Sequence, residues 1–238
     1  MKNIIPSGDK LLSILECLAL RPHTLQELAA KCEASGTTCY RALQTLLAHG
    51  WIFRSTDGLY DLSATFGLLA ERCASNRLKR LKPQLEQLSR QCGLGAKLSI
   101  REGDQQLAYL RAESPKPFGV SPQQGARFPL AEGTVGAALL CDTPTAEIRR
   151  LCRLCPPELE EHDPTVVESR IATVQRQGWL FSEKLTRWNI FALSAPLRHG
   201  GTVVAAVTLI GLDDDFREPT HTANLLRQAA VQMEATLA

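Results

Sequence analysis

The chain has 238 residues, with 27 Lys and Arg against 25 Asp and Glu and a formal net charge of +2 at pH 7. That length suits two small domains, and the near-neutral balance excludes a nucleic-acid role argued from bulk charge, so any such role rests on local placement. No apolar run reaches the roughly 18 residues of a membrane span, the opening MKNIIPSGDK lacks the apolar core of a signal peptide, and several of the eight cysteines sit at apolar positions. The expectation is a cytoplasmic protein with reduced thiols and no membrane partner.

Between residues 9 and 20, Leu11, Ile14, Leu15 and Leu18 recur at helical spacing, and Pro22 closes the segment. Thr24-Leu25-Gln26-Glu27 has the form of a capping box opening a second helix that runs to about Cys32. After Glu33-Ala34, Ser35 is a good N-cap for a third helix, which ends at Gly50. Three helices with a tight turn between the last two form a helix-turn-helix pattern.

On the third helix, Cys39, Leu43, Leu46 and Leu47 share one face, while Thr37, Arg41, Gln44, Thr45 and Ala48 share the other. No acidic residue falls between Glu33 and Asp57, so phosphates meet no repelling carboxylate there. Trp51-Ile52-Phe53-Arg54, the turn Thr56-Asp57-Gly58 and Leu59-Tyr60-Asp61-Leu62 read as a hairpin, the wing of a winged helix.

Leu78, Leu81, Leu85, Leu88 and Cys92 then repeat at steps of three and four, predicting an amphipathic linker whose basic residues either form a solvated face or touch phosphates, with Pro83 starting or kinking a helix. Strands are expected near 94–100, 106–111, 179–182, 191–195 and 203–209, and helices near 134–141, 145–153, 166–177 and 220–237. This mixed order suits an α+β fold around a largely antiparallel sheet. The domains expected are a winged helix-turn-helix over 1–62, linker helices over 63–92 and an α+β domain over 93–238.

Cys152-Arg153-Leu154-Cys155, with Cys141 and His162 nearby, permits a zinc or redox site on paper, but a lone C-x2-C lacks the four-ligand spacing of a structural zinc, and no metal or other cofactor is expected. The five histidines fall mostly in loops or at helix ends and read as exposed polar residues. Nucleophile-elbow, zinc-protease, Walker and dinucleotide-binding motifs are all missing, so the chain reads as a non-enzyme. A zinc- or redox-responsive regulator, or an enzyme domain fused to a winged helix, is the alternative.

These pieces, in order, resemble the IclR family of bacterial regulators over nearly the whole chain. The resemblance rests on the winged helix with Tyr40-Arg41 and Tyr60-x-Leu62, on Gly125-Ala126-Arg127-Phe128-Pro129-Leu130 and on the helix led by Gly136. It continues through Gln177-Gly178-Trp179, Ser182-Glu183, Ala195-Pro196-Leu197 and the run from Val203 to Gly211. The chain departs from the family pattern at Ala34-Ser35-Gly36, Ala131-Glu132 and Trp188-Asn189-Ile190. The resemblance implies a transcriptional repressor or activator with a GAF- or PAS-like sensor sheet, which would make the domain over 93–238 effector-binding. Its partners would be a pseudo-palindromic double-stranded operator, a second copy in a homodimer or homotetramer, a small organic effector and, for an activator, RNA polymerase.

On this reading Arg41 contacts a guanine or phosphate, with Ser35, Thr37, Thr38, Tyr40 and Gln44 around it and Arg54 on the wing. The resemblance carries ligand contacts onto Thr134, Val135, Gly136, Ser182, Ile190, Ala192, Thr208 and Ile210. This set offers three hydroxyls among apolar walls and no cation, which suits an organic acid whose carboxylate is held by backbone N–H groups where the helix near Thr134 begins.

Overall fold

A computed structural model describes residues 4–71, 74–182, 189–216 and 218–237. The chain divides into two compact units, residues 1–76 and 77–238. Glu183, named in the family resemblance, and Trp188, named among the departures from it, lie outside the described residues.

In the first unit, α1 (Pro6–Leu18), α2 (Leu25–Lys31) and α3 (Gly36–Ala48) precede a two-stranded wing of β1 (Ile52–Arg54) and β2 (Tyr60–Leu62). Helix α1 starts earlier than its apolar pattern indicates, because Pro6 supplies a pre-set φ at the first turn. At α2 the capping box is formed in both directions: the Glu27 amide donates to Thr24 Oγ1 at 3.2 Å and the Thr24 amide donates to Glu27 Oε2 at 2.8 Å. Ser35 caps α3 by accepting from the Thr38 amide at 3.2 Å, and Gly50 beyond its end takes the left-handed φ of 69°. Ile14, Leu18, Leu28, Cys39, Leu43, Leu46, Ile52 and Tyr60 form the core.

His23 is completely buried in this unit, contrary to the exposed role expected of it. Its backbone pairs with Tyr60 of the wing and its Nδ1 lies 2.7 Å from the Arg21 carbonyl. Pairing with a residue 37 positions away, which local pattern does not reveal, draws the imidazole inside.

Helix α4 (Thr65–Glu71) follows the wing, and a 3₁₀ stretch (Ala74–Leu81) leads into α5 (Lys82–Cys92), with Pro83 in the first turn of α5. The leucines read as a linker stripe, Leu78, Leu81, Leu85 and Leu88, are buried in the core of the second unit.

That unit is built on a six-stranded antiparallel sheet in the order β5-β4-β3-β8-β7-β6. The strands are β3 (Gly95–Glu102), β4 (Gln105–Ala112), β5 (Arg127–Pro129), β6 (Leu180–Phe181), β7 (Phe191–His199) and β8 (Thr202–Gly211). Side chains alternate across it. Ala96, Leu98, Leu193, Ala195, Leu197, Val207 and Leu209 pack with α5 and with α9 (Pro219–Leu237) on one face. The opposite face is covered in part by α6 (Gly133–Leu139), α7 (Thr145–Cys152) and α8 (Pro164–Gln177), whose apolar side chains form a separate core with Ala206. The uncovered part of that second face becomes a cleft.

Among the described residues no helix is long and apolar enough to cross a membrane. Cys141, Cys152 and Cys155 are buried in the core around α6, α7 and α8, and no group of three or more His, Cys, Asp or Glu side chains comes together as a metal site among the described residues.

Candidate functional site

The outer face of α3 is one candidate surface. Ser35, Thr37, Thr38, Tyr40, Arg41, Gln44 and Thr45 are all exposed there, while Cys39, Leu43 and Leu46 are buried beneath them. The 100° step between residues produces this division, and the Ser35 cap holds the first turn in place. Arg41 has no ion pair among the described residues, and the Thr45 hydroxyl donates to its carbonyl at 3.0 Å, leaving the guanidinium open to solvent. Tyr40, half exposed, flanks it in sequence.

Arg54 belongs to the wing, where its guanidinium lies 5.5 Å from the centre of the Tyr60 ring and its Nε donates to the Gly58 carbonyl at 3.4 Å. One cation on a helix of small polar residues and a second on the hairpin form a surface fit for phosphates and base edges.

The second candidate is a cleft of about 1080 Å³ in the C-terminal unit. Its floor is the exposed part of the sheet, with Lys97 of β3, Gln106 and Ala108 of β4, Phe128 of β5, Ala192 of β7 and Ile210 of β8. Its walls are the start of α6, one side of α8 and the segment from Val120 to Ala126. Of the eight positions carried over by resemblance, Thr134, Val135, Ser182, Ile190, Ala192 and Ile210 line this cleft.

Gly136 and Thr208 do not line it. A Cβ on Gly136 would stand 2.5 Å from the Ala131 carbonyl carbon, so this glycine lets α6 lie against the chain that precedes it. Thr208 is fully buried, and its hydroxyl lies 2.8 Å from Ser194 Oγ, which in turn lies 2.8 Å from Thr134 Oγ1. Ser182 Oγ accepts from the Ala192 amide at 2.8 Å. All three hydroxyls singled out in the sequence therefore have internal partners and tie strands and helix together.

The expected anion site at the start of α6 is also altered. The Gly133 amide donates at 2.9 Å to Oε1 of Glu161, a buried carboxylate that also accepts from Arg170 Nη1 at 2.6 Å. The protein supplies its own anion at that amide. Gln106, buried as well, donates from Nε2 to the Pro129 carbonyl at 3.0 Å and to the Glu132 carbonyl at 2.9 Å, fixing the chain between β5 and α6.

The cleft does hold cations, against the expectation of none. Arg170 is committed to Glu160 and Glu161. Lys97 is different: its ammonium lies 5.3 Å from the centre of the Phe128 ring and makes no ion pair with a described residue. Burial pushes it down from 10.5 to about 8, against the opposing pull of the Glu132 carboxylate, so it is still charged at pH 7. In the sequence Lys97 looks like the solvent-facing position of a strand that alternates apolar and polar residues; a cleft on that face was the missing information.

A helix-turn-helix with an open cationic face, joined in one chain to a cleft-bearing α+β unit, defines a DNA-binding transcriptional regulator. The model of the bacterial transcriptional regulator IclR C-terminal domain matches residues 75–235, and the IclR helix-turn-helix model matches residues 7–55. The chain belongs to the IclR family. It is 24% identical to the HTH-type transcriptional regulator KipR of Bacillus subtilis, over 98% of this chain and 97% of the relative.

Among solved structures, an IclR regulator from Alicyclobacillus acidocaldarius superposes with a TM-score of 0.71 at 21% identity, covering 99% of this chain and 100% of the other. An IclR homolog from Microbacterium hydrocarbonoxydans complexed with 4-hydroxybenzoate superposes with a TM-score of 0.74 at 20% identity, covering 97% of this chain and 98% of the other. These relatives are transcriptional regulators, a family of non-enzymes, with a helix-turn-helix and a C-terminal ligand-binding domain.

Proposed function

We propose that this regulator binds a pseudo-palindromic operator through α3 and the wing, and that a small organic acid in the C-terminal cleft controls that binding. The observation that carries the acid is Lys97. A desolvated ammonium beside an aromatic ring, in a cleft where the hydroxyls of Thr134 and Ser182 are bonded internally, favours a carboxylate attached to an apolar or planar body. The 4-hydroxybenzoate bound by the Microbacterium homolog has this chemistry.

In this reading Arg41 supplies the leading contact to a guanine or phosphate, supported by Ser35, Thr37, Thr38, Tyr40, Gln44 and Arg54. Thr134, Val135, Ser182, Ile190, Ala192 and Ile210 enclose the ligand's apolar body on a GAF- or PAS-like sheet. The protein works in the cytoplasm as a homodimer or homotetramer, because two recognition helices are needed to read two half-sites. The ligand acts by binding one arrangement of the assembly more tightly than the other. The outcome is release of a repressor or engagement of RNA polymerase by an activator.

The test is calorimetric titration with benzoate, 4-hydroxybenzoate and small aliphatic acids, each beside its neutral amide. Binding of an acid with at least tenfold preference over its amide supports the proposal. Equal affinity for acids and amides contradicts it.

A further inference from the structure

Two thiols from different helices meet close to the turn that leads into α3. Cys17, in the last turn of α1, and Cys32, the residue that ends α2, place their Sγ atoms 3.9 Å apart. Both border a surface groove of about 350 Å³ that is also lined by Ser13, Glu16, Lys31 and Glu33. Cys17 is half-buried and Cys32 buried. The Lys10 ammonium donates to the Cys32 carbonyl at 2.6 Å, placing a positive charge beside the pair. The remaining thiol of this core, Cys39, is fully buried and directed at the Leu25 carbonyl.

We propose that Cys17 and Cys32 form a dithiol site that a hydroperoxide closes to a disulfide, changing the set of the recognition helix and with it the affinity for DNA. Cys17, the more accessible of the two, attacks the peroxide first. A bond forms between its sulfur and one peroxide oxygen, the O–O bond breaks, and the other oxygen leaves with a proton as water or an alcohol, giving Cys17 sulfenic acid. The Cys32 sulfur then attacks the Cys17 sulfur: the S–S bond forms, the S–O bond breaks, and water leaves with the Cys32 proton. Two thiols lose two electrons and the peroxide gains them.

The environments suit this order. Burial, with Cys17 alongside, pushes the Cys32 thiol up to about 11, which makes it a poor first nucleophile and leaves the attack on the peroxide to Cys17. An S–S bond is about 2.05 Å long, so closing the pair moves the two sulfurs together by roughly 2 Å. Cys32 is followed by Glu33, which already holds a left-handed φ of 48°, and then by Ala34 and the Ser35 cap of α3. A short, strained connection transmits that displacement to the first turn of the DNA-facing helix.

The test uses the reduced full-length chain treated with one equivalent of hydrogen peroxide. Because trypsin does not cut between Arg21 and Pro22, the expected product is the peptide of residues 11–31 joined to that of 32–41, two hydrogens lighter than their sum, with fragmentation placing the link on Cys32 rather than Cys39. DNA affinity of the cross-linked protein should change at least fivefold, return on adding dithiothreitol, and stay constant under peroxide in Cys17→Ala. Since wild-type protein before and after reductant gives the same readout, the test does not depend on the variant folding well. Oxidation that stops at a sulfinic acid on Cys17, a link to Cys39, or a cross-linked protein with unchanged DNA affinity would overturn the proposal.

Discussion

The carboxylate of Glu161 accepts a hydrogen bond from the amide of Gly133 at 2.9 Å, so one of the protein's own anions occupies the first turn of α6. Glu161 is held there by Arg170, and both residues border the cleft. Glu161→Gln keeps the shape but removes the charge that balances Arg170. Stability is expected to fall by about 1–3 kcal/mol, the usual cost of weakening a buried charged hydrogen bond. Denaturant titration of the wild type and variant checks this; an unchanged midpoint would show that the carboxylate is not held as described.

Lys97 gives ligand binding a pH dependence with a definite sign. Its ammonium is pushed down from 10.5 to about 8, so the charge is present at pH 7 and is lost as the pH rises through 8. A carboxylate ligand should therefore bind more weakly at pH 9 than at pH 7, and its binding should draw in a proton near pH 8. Lys97→Met should lower affinity for the acid about 10–100-fold, abolish the pH slope and leave affinity for the neutral amide nearly unchanged. Calorimetry at pH 7 and pH 9 measures both, and a variant that retains the slope would assign it to another group.

Gly136→Ala tests how α6 is seated. The added methyl would meet the Ala131 backbone at 2.5 Å, and backbone cannot swing aside as a flexible side chain can. A loss of about 1–3 kcal/mol is expected from overpacking, together with weakened ligand binding, since Thr134 and Val135 on the same helix line the cleft. Thermal melting with and without ligand separates these effects.

In the N-terminal unit, hydrogen bonds from the Thr24 backbone and from Arg21 hold the Glu27 carboxyl down from 4.5 to about 2. A carboxyl lowered in the folded state contributes its stabilisation above the unfolded value and loses it as the pH falls through the folded one. The helix-turn-helix unit should thus weaken between about pH 5 and pH 2, and less so in Glu27→Gln. Thr24→Ala should cost about 1 kcal/mol at pH 7 through the lost cap. Circular dichroism melts across that pH range give the comparison.

The capping box of Thr24 and Glu27, the Ser35 cap and the Gly50 stop were legible because each depends on residues within a few positions of one another. The apolar runs near 94–100 and 203–209 likewise marked β3 and β8 as strands. What escaped depended on distant pairings. His23 is buried by the wing, the hydroxyl chain joins Thr134 to Ser194, 60 positions away, and through it to Thr208, and Lys97 meets Phe128 only once β4 and β5 have paired. A polar residue facing away from a core looks the same in sequence whether that side meets solvent or a cleft.

Sequence-specific recognition by α3 is the central claim. Its most direct test is titration of wild-type protein and Arg41→Ala against the chain's own upstream DNA and a scrambled fragment, at physiological salt because phosphate attraction alone mimics recognition at low salt. The wild type should prefer the native fragment, and Arg41→Ala should lose about 1–3 kcal/mol on it while changing little on the scrambled one. Equal losses on both fragments, or none on either, would contradict a base-reading role for the face that carries Arg41.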